Sequence, residues 1–357
     1  MLRGSTARSD QPLLLLILPA WAGVGLHRVF GHKMPPMALL VLAAAARRCG
    51  WRVRVVDLNE QRLPDERPDV VGITVWTMLA PQAYALADTF RQRGVPVVLG
   101  GVHASLLPTE ALRHADAVVV GEAEAILPTV LDDLAAGRSQ GLYEGAWQAM
   151  DAVPPATEWL DLVRATPLTR YVPLNTLQTT RGCRFNCDFC SVIRINGRGS
   201  RHRDPAEAAA EMAAVVRHGQ RLGSFAYTFL LDDDLAADRE YTAELCEAIL
   251  AAGVPTTWGA QASIGLANDP ELVALAARAG CRVVFTGFES VSRETLIECN
   301  KKNRPSQFKE AVARLHRHRI LVEGGFIFGF DHDTPAVFSD TVEFVEAIEV
   351  DAAHFSI

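Results

Sequence analysis

Along almost the whole chain, short apolar runs alternate with helix-length stretches, and this alternation constrains the fold more than any other feature. In the first part the runs are Leu13–Leu18, Val53–Leu58, Val70–Val75, Val97–Gly101 and Ala117–Gly121. Helical stretches fall at Met34–Cys49, Pro81–Gly94 and Ile126–Gly137. Strands joined through helices run parallel, and uniformly apolar runs suit strands buried on both faces. The pattern predicts an α/β domain, doubly wound and Rossmann-like, with helices on both sides of a parallel sheet. Gly50 and Gly94 end their helices where a left-handed residue is wanted. No Gly-x-Gly-x-x-Gly follows the first strand, which disfavours a plain dinucleotide-binding domain.

Between Gly137 and Leu177 the pattern weakens into Pro154-Pro155 and short mixed segments, and it reads as a linker. A second alternation then gives six strands, at Leu177–Thr180, Phe225–Leu231, Thr257–Ala262, Val283–Gly287, Val322–Phe328 and Ala353–Ile357. Five helices separate them, at Ala206–His218, Tyr241–Ala252, Pro270–Gly280, Pro305–His318 and Pro335–Ile348. That order fits a partial (β/α)6 barrel of the TIM type, and no helix covers its sixth strand, so a barrel truncated there is expected. The expected division is residues 1–140, a linker over 141–172, and residues 173–357.

At 357 residues, the chain is long enough for two or three cores. Its formal charge of −7, with both signs interspersed, leaves no broad basic face for nucleic acid. Arg3 and Arg8 before Leu13–Leu18 superficially imitate a secretory signal, but Asp10, Gln11 and Pro12 interrupt it and the run suits a buried strand. No stretch reaches the roughly 20 apolar residues that span a bilayer. Seven cysteines, an odd number with four of them scattered, are no disulfide framework. A reducing cytoplasm is the expected compartment.

The other three stand together in Thr179-Thr180-Arg181-Gly182-Cys183-Arg184-Phe185-Asn186-Cys187-Asp188-Phe189-Cys190, directly after the first barrel strand. Cys183, Cys187 and Cys190 fit one small loop around a metal centre. A four-iron cluster normally takes four cysteines, so three leave one iron open to a small molecule. The competing arrangement is a Cys3His zinc site completed by His202 in a non-catalytic binding protein. Position favours chemistry, because a barrel places its active site at the C-terminal ends of its strands.

Here the chain resembles the radical S-adenosylmethionine superfamily, whose signature is Cys-x3-Cys-x2-Cys after the first strand of a partial barrel. From Leu13 to Ile357 it looks like the cobalamin-binding subclass, the class B methylases. The resemblance implies that the three cysteines hold a 4Fe-4S cluster and that S-adenosylmethionine chelates the fourth iron. It implies reductive cleavage to a 5′-deoxyadenosyl radical, hydrogen abstraction from an unactivated carbon of a small-molecule substrate, and methylation assisted by cobalamin. Radical cyclisation or rearrangement is the alternative with the same cofactors. An electron donor such as flavodoxin or ferredoxin is the implied partner.

Polar residues at the other strand ends then face the cluster. Asp232, in Leu231-Asp232-Asp233-Asp234, is expected to accept from the ammonium group of S-adenosylmethionine; the competing readings are a helix-capping turn and magnesium. Gln261 and Ser263 end the third strand. Glu289 and Ser290 end the fourth and resemble the ribose-contacting position. Ile327 and Gly329, in Gly325-Phe326-Ile327-Phe328-Gly329, resemble the stretch against adenine. The family often has Glu three residues further on, where this chain has His332.

In the first domain, ligands are expected outside the carboxyl ends of the strands. The loops there carry Thr74, Trp76 and Thr77, then Gly100, Gly101 and His103, then Gly121 and Glu122. Together with Pro35-Pro36-Met37 they resemble a cobalamin-binding site. The Asp-x-His-x-x-Gly pattern that supplies a cobalt ligand elsewhere is absent. His103 stands in a ligand loop as a candidate for that role, and His27 and His32 read as surface residues.

Overall fold

The computed structural model describes residues 11–21, 34–163, 171 and 175–357; Arg3, Arg8, His27 and His32 lie outside these ranges. Two compact units emerge, Met1–Gln148 with Val153–Tyr171, and Ala149–Ala152 with Val172–Ile357.

The first unit is built on β1 (Leu13–Leu18), β2 (Arg52–Asp57), β3 (Val70–Thr74), β4 (Val97–Gly100), β5 (Ala117–Val120) and β6 (Gly141–Glu144). The strands lie in the order β2-β1-β3-β4-β5-β6, every neighbouring pair parallel. Successive side chains of β1 point to opposite faces: Leu14, Leu16 and Leu18 enter one apolar cluster, Leu15 and Ile17 the other. Helix α1 (Met37–Arg48) supplies Leu39 and Ala43 to the first cluster, beside Val130 and Leu131 of a helix over Leu127–Ala135. Helix α2 (Ala80–Gln92) supplies Ala83, Ala87 and Phe90 to the second. Both faces of the sheet are therefore covered, as its uniformly apolar strands require. Each buried leucine contributes about 1.5–3 kcal/mol relative to exposure, so Leu16→Asp would open this core.

Strand β6 falls in the stretch that the pattern reads as a linker, and it pairs with β5 from Ala117↔Gly141 to Val120↔Glu144. Only Tyr143 of its four residues is buried. A four-residue edge strand carries too little apolar signal to be read from sequence.

In the second unit, β7 (Asn175–Leu177), β10 (Tyr227–Leu230), β11 (Thr257–Gln261), β12 (Cys281–Glu289), β13 (Leu321–Ile327) and β14 (Ala352–Ser356) form a parallel sheet in strictly sequential order. Between β7 and β10 a small antiparallel pair intervenes, β8 (Thr180–Arg181) with β9 (Arg201–His202). The first barrel strand thus ends earlier than its apolar pattern suggests, because Thr180 and Arg181 leave the sheet for this hairpin. Side chains alternate along β12: Val284, Thr286 and Phe288 are buried, whereas Val283, Phe285, Gly287 and Glu289 are only partly covered. One face is packed under helices, and the other lines an interior that stays open. This is the alternation of a partial barrel.

Acidic and hydroxyl caps end the strand-to-helix turns. Asp204, Asp238 and Asp269 accept backbone N–H bonds at the starts of helices Pro205–Arg221, Arg239–Ala251 and Pro270–Arg278, and Ser292 does so for Arg293–Glu298. The last of these is a six-residue helix absent from the apolar pattern.

Candidate functional site

The cysteine loop follows β8, and three contacts with its surroundings hold its shape. Gly182 has φ +93°, and a Cβ there would lie 2.3 Å from the Gly199 carbonyl, so only glycine fits the turn. Cys183 is bridged to Arg198 alongside it. On the other side the Asp188 N–H donates to the Cys299 carbonyl at 3.0 Å, and Asn300 Nδ2 donates to the Asn186 carbonyl at 2.7 Å.

Asp232 was expected to face the ligand, but both of its oxygens are spent on this loop. The Thr179 and Thr180 N–H groups donate to Oδ1 at 2.6 and 2.7 Å, and the Thr179 hydroxyl donates to Oδ2 at 2.7 Å. The residue is fully buried, and burial pushes its pKa up to about 6 against those three hydrogen bonds. Asp233 Oδ2 accepts from Gly182 N–H and Asn196 Nδ2. Asp234 is different. Its Oδ1 accepts from the N–H groups of Ala236 and Ser263, while its buried Oδ2 and the buried Ser263 hydroxyl lack a well-formed hydrogen bond. Asp234 is close enough to raise the Cys183 pKa, and the Ser263 side chain and the Arg184 charge act on Asp234 in turn. Three consecutive aspartates look alike in sequence and differ only in where the fold spends each side chain.

The thiols themselves pass a physical test for a cluster. Burial pushes Cys183 up to about 11 and raises Cys187 too, and each feels the neighbouring sulfurs. Thiolates in such a setting need bound positive charge, which ligated iron supplies. Among the described residues no three His, Cys, Asp or Glu side chains close on one point as a single metal ion needs. A four-iron cube is wider than one ion and suits a looser ring of sulfurs. His202 is turned elsewhere: its ring stacks on Tyr241 at 4.4 Å and Nε2 stands 3.5 Å from Asp238. The fourth ligand of a Cys3His zinc site is therefore not at hand.

Lys301 is the residue that sequence reasoning missed. Its Nζ pairs with Glu289 Oε1 at 2.8 Å, and both side chains are nearly buried. Burial lowers the Lys301 pKa, but the charge and hydrogen bond of Glu289, helped by Cys187 and Asp234, hold it above the ordinary value. In the polar run Asn300-Lys301-Lys302-Asn303 nothing sets it apart from a solvated loop lysine. Glu289 adopts φ +71°, an unusual backbone for a non-glycine residue, and its carboxylate lies over Gly287, where a Cβ would meet Oε1 at 2.1 Å. Ser290 is buried, its Oγ accepting from Ser292 N–H at 3.1 Å. Gln261 and Ile327 end β11 and β13 on the partly covered face. The Gly329 N–H donates to Asp333 Oδ2, and His332 pairs with Glu298 at 3.3 Å, away from any ligand role suggested by its position.

In the first unit the loops after β3, β4 and β5 are knitted together. Gly101 has φ +94°, and a Cβ there would lie 2.8 Å from Thr74 Oγ1. Ser105 Oγ accepts from Gly121 N–H at 3.0 Å, beyond Gly100 at the end of β4. Trp76 meets Trp21 edge-on, with centroids 6.4 Å apart. Glu122 is buried and its Oε2 accepts from Gln148 N–H at 2.9 Å. His103 is buried with both nitrogens occupied, Nδ1 against Thr77 Oγ1 at 3.3 Å and Nε2 against Glu110 Oε1 at 3.2 Å. As placed, it has no nitrogen free for cobalt. The same Glu110 oxygen accepts from Tyr84 OH at 3.0 Å.

Comparison with known proteins agrees with both halves of this geometry. Residues 23–131 match the B12 binding domain model and residues 177–345 match the radical SAM superfamily model. The chain belongs to the B12-binding radical SAM proteins. Among the relatives of this radical SAM protein is the bacteriochlorophyllide d C-12(1)-methyltransferase of Chlorobaculum tepidum, 32% identical over 81% of the chain and 63% of the relative. Another is the anaerobic magnesium-protoporphyrin IX monomethyl ester cyclase of Rubrivivax gelatinosus, 26% identical over 84% of the chain and 59% of the relative. The chain thus spans about three-fifths of the length of these curated proteins. Its fold matches the radical S-adenosylmethionine methyltransferase TsrM from Kitasatospora setae, with a TM-score of 0.76 and 19% identity, over 97% of this chain and 73% of that one. Among the described residues no helix is long and apolar enough to cross a membrane.

Proposed function

We propose that this protein is a cobalamin-dependent radical S-adenosylmethionine enzyme that methylates an unactivated carbon of a small molecule. The observation carrying this reading is the short turn that bears Cys183, the buried Cys187 and Cys190, with the Asp234 carboxylate and a nearly buried Lys301–Glu289 pair acting on its thiols. The methyltransferases among its relatives support the reaction class.

In this reading Cys183, Cys187 and Cys190 hold the 4Fe-4S cluster, which when bound supplies the electron that splits S-adenosylmethionine into methionine and a 5′-deoxyadenosyl radical. Asp234 offers its free oxygen to the ammonium group, and Lys301, sharing the same electrostatic neighbourhood, complements the carboxylate. Glu289 keeps Lys301 charged and, with Ser290, faces the ribose. Gln261, Ser263, Ile327 and Gly329 line the remaining strand ends. Asp232 acts from behind, fixing the cysteine loop so that the ligand sulfurs do not have to be ordered at the moment of binding. Thr74, Trp76, Thr77, Gly100, Gly101, Gly121 and Glu122 would hold cobalamin, which would supply the methyl group, while His103 holds Thr77 and Glu110. We assign residues 1–140 to the corrin module and 173–357 to the radical module, working in a reducing cytoplasm with a flavodoxin or ferredoxin as electron source.

Cyclisation of a small molecule with the same cofactors is the second reading, favoured by the cyclase among the relatives. Anaerobic turnover with methyl-labelled S-adenosylmethionine tests both. Methylation places label in the product alongside 5′-deoxyadenosine; label confined to methionine sinks methylation and leaves cyclisation.

A further inference from the structure

The segment from Arg181 to Arg203 holds six arginines against one acidic residue, Asp188, in a chain whose net charge is −7. This local inversion surrounds the cysteines. Arg184 follows Cys183 directly, exposed, with its guanidinium 5.1 Å from the Phe185 ring. Arg194 lies on the helical turn Val192–Ile195 just past Cys190, and the Arg198 backbone is bridged to Cys183. The guanidinium groups of Arg194 and Arg198 are exposed, with no hydrogen bond or ion pair among the described residues. Arg203, by contrast, is buried and pairs with Glu211 at 3.0 Å.

Among these charges stands an exposed aromatic. Phe189, two residues after Cys187, is 40% exposed and meets Phe330 edge-on at 6.1 Å. On the Phe330 side Asp333 accepts from the N–H groups of Gly329 and Phe330 and Glu298 pairs with His332, while the exposed Asp188 and Asp331 leave the three guanidinium groups in excess. An exposed aromatic close in sequence to unpaired guanidinium groups is a poor internal contact and a good transient interface, with aromatic centre and charged rim.

The partner follows from electron balance. Splitting the sulfonium carbon–sulfur bond consumes one electron and gives a thioether and a carbon radical, so a one-electron donor must be oxidised for each cleavage. We propose that the face bearing Arg184, Arg194, Arg198 and Phe189 docks an acidic one-electron carrier protein against the cysteine loop. Its positive field steers such a carrier to the place where the electron is needed, and the small apolar centre suits a contact that must dissociate quickly. This rests on the radical reading given above.

The test uses the whole chain, anaerobically reconstituted, and follows cluster bleaching after rapid mixing with a reduced acidic flavodoxin or, separately, with dithionite. The expected result is a flavodoxin rate constant that falls steeply with added salt and drops at least about tenfold in Arg194→Glu/Arg198→Glu, with loss of the salt dependence. Arg194→Lys/Arg198→Lys, which keeps the charge, stays near wild type. Dithionite reduces all three proteins alike. Flavodoxin reduction that is indifferent to salt, or unchanged in the Glu variant, overturns the docking surface while the cluster reading stands. A loss seen equally with dithionite overturns it too, because the defect then lies in the cluster. Protein without an iron–sulfur chromophore instead removes the radical reading beneath it.

Discussion

Each half of this protein is a six-stranded parallel sheet, and the two differ in strand order and in what their strands bury. In the first, β1 lies between β2 and β3, so the connections from β1 and β3 leave for opposite faces. Its central strands are buried on both sides, and ligands are left only the strand ends, where a reversal of order opens a crevice. In the second the order never reverses. Every helix can then stand on one side, and the other face of β12 keeps Gly287 and Glu289 partly open. One sheet holds a ligand against its edge, and the other keeps an interior for it. The same alternation of strand and helix therefore builds a corrin platform or a reaction chamber, according to whether strand order turns back.

If the two sites are separable in this way, changes in one should spare the other. Cys187→Ala should abolish 5′-deoxyadenosine formation while the corrin, followed by its visible absorption through gel filtration, stays bound. Loss of both would show that the halves do not work as separate platforms. Asp232→Ala removes a fully buried acceptor of three hydrogen bonds and should cost about 2–4 kcal/mol in urea unfolding of the second unit, with reduced iron loading. The first unit's transition should not move. Lys301→Met leaves Glu289 without its partner and should raise the dissociation constant for S-adenosylmethionine at least about tenfold, measured by equilibrium dialysis on the iron-loaded protein, with corrin affinity unchanged. Gly101→Val places a β-branched residue at φ +94° against Thr74 and should store about 1–3 kcal/mol of strain in the corrin loop. Weaker corrin retention is expected, without loss of abortive S-adenosylmethionine cleavage. Arg47→Ala breaks an exposed ion pair with Asp161 and should change stability by no more than about 1 kcal/mol, seen as a small shift in Tm.

The legibility of these halves in sequence follows the same physics. Strands buried on both faces write themselves as continuous apolar runs, so Leu13–Leu18 and Val70–Val75 read plainly as strands. Strands with one open face still showed through their length and flanking helices, whereas β6, with one buried residue in four, did not. The cysteine loop was legible because three ligands must come from one short turn. What could not be read was how identical side chains are used: Asp232 and Asp234 differ only in which oxygens the fold consumes, and Lys301 is a loop lysine until Glu289 is seen over it. His103 looked available because its two partners, Thr77 and Glu110, reach it from residues 26 before and 7 after in sequence.

The most direct measurement is electron–nuclear double resonance on the reduced, anaerobically reconstituted protein with S-adenosylmethionine carrying nitrogen-15 in its amino group. The expected result is a hyperfine coupling between that nitrogen and the cluster spin, in protein holding about four irons per chain. A colourless protein that retains zinc, or a cluster signal indifferent to the labelled cofactor, would contradict it.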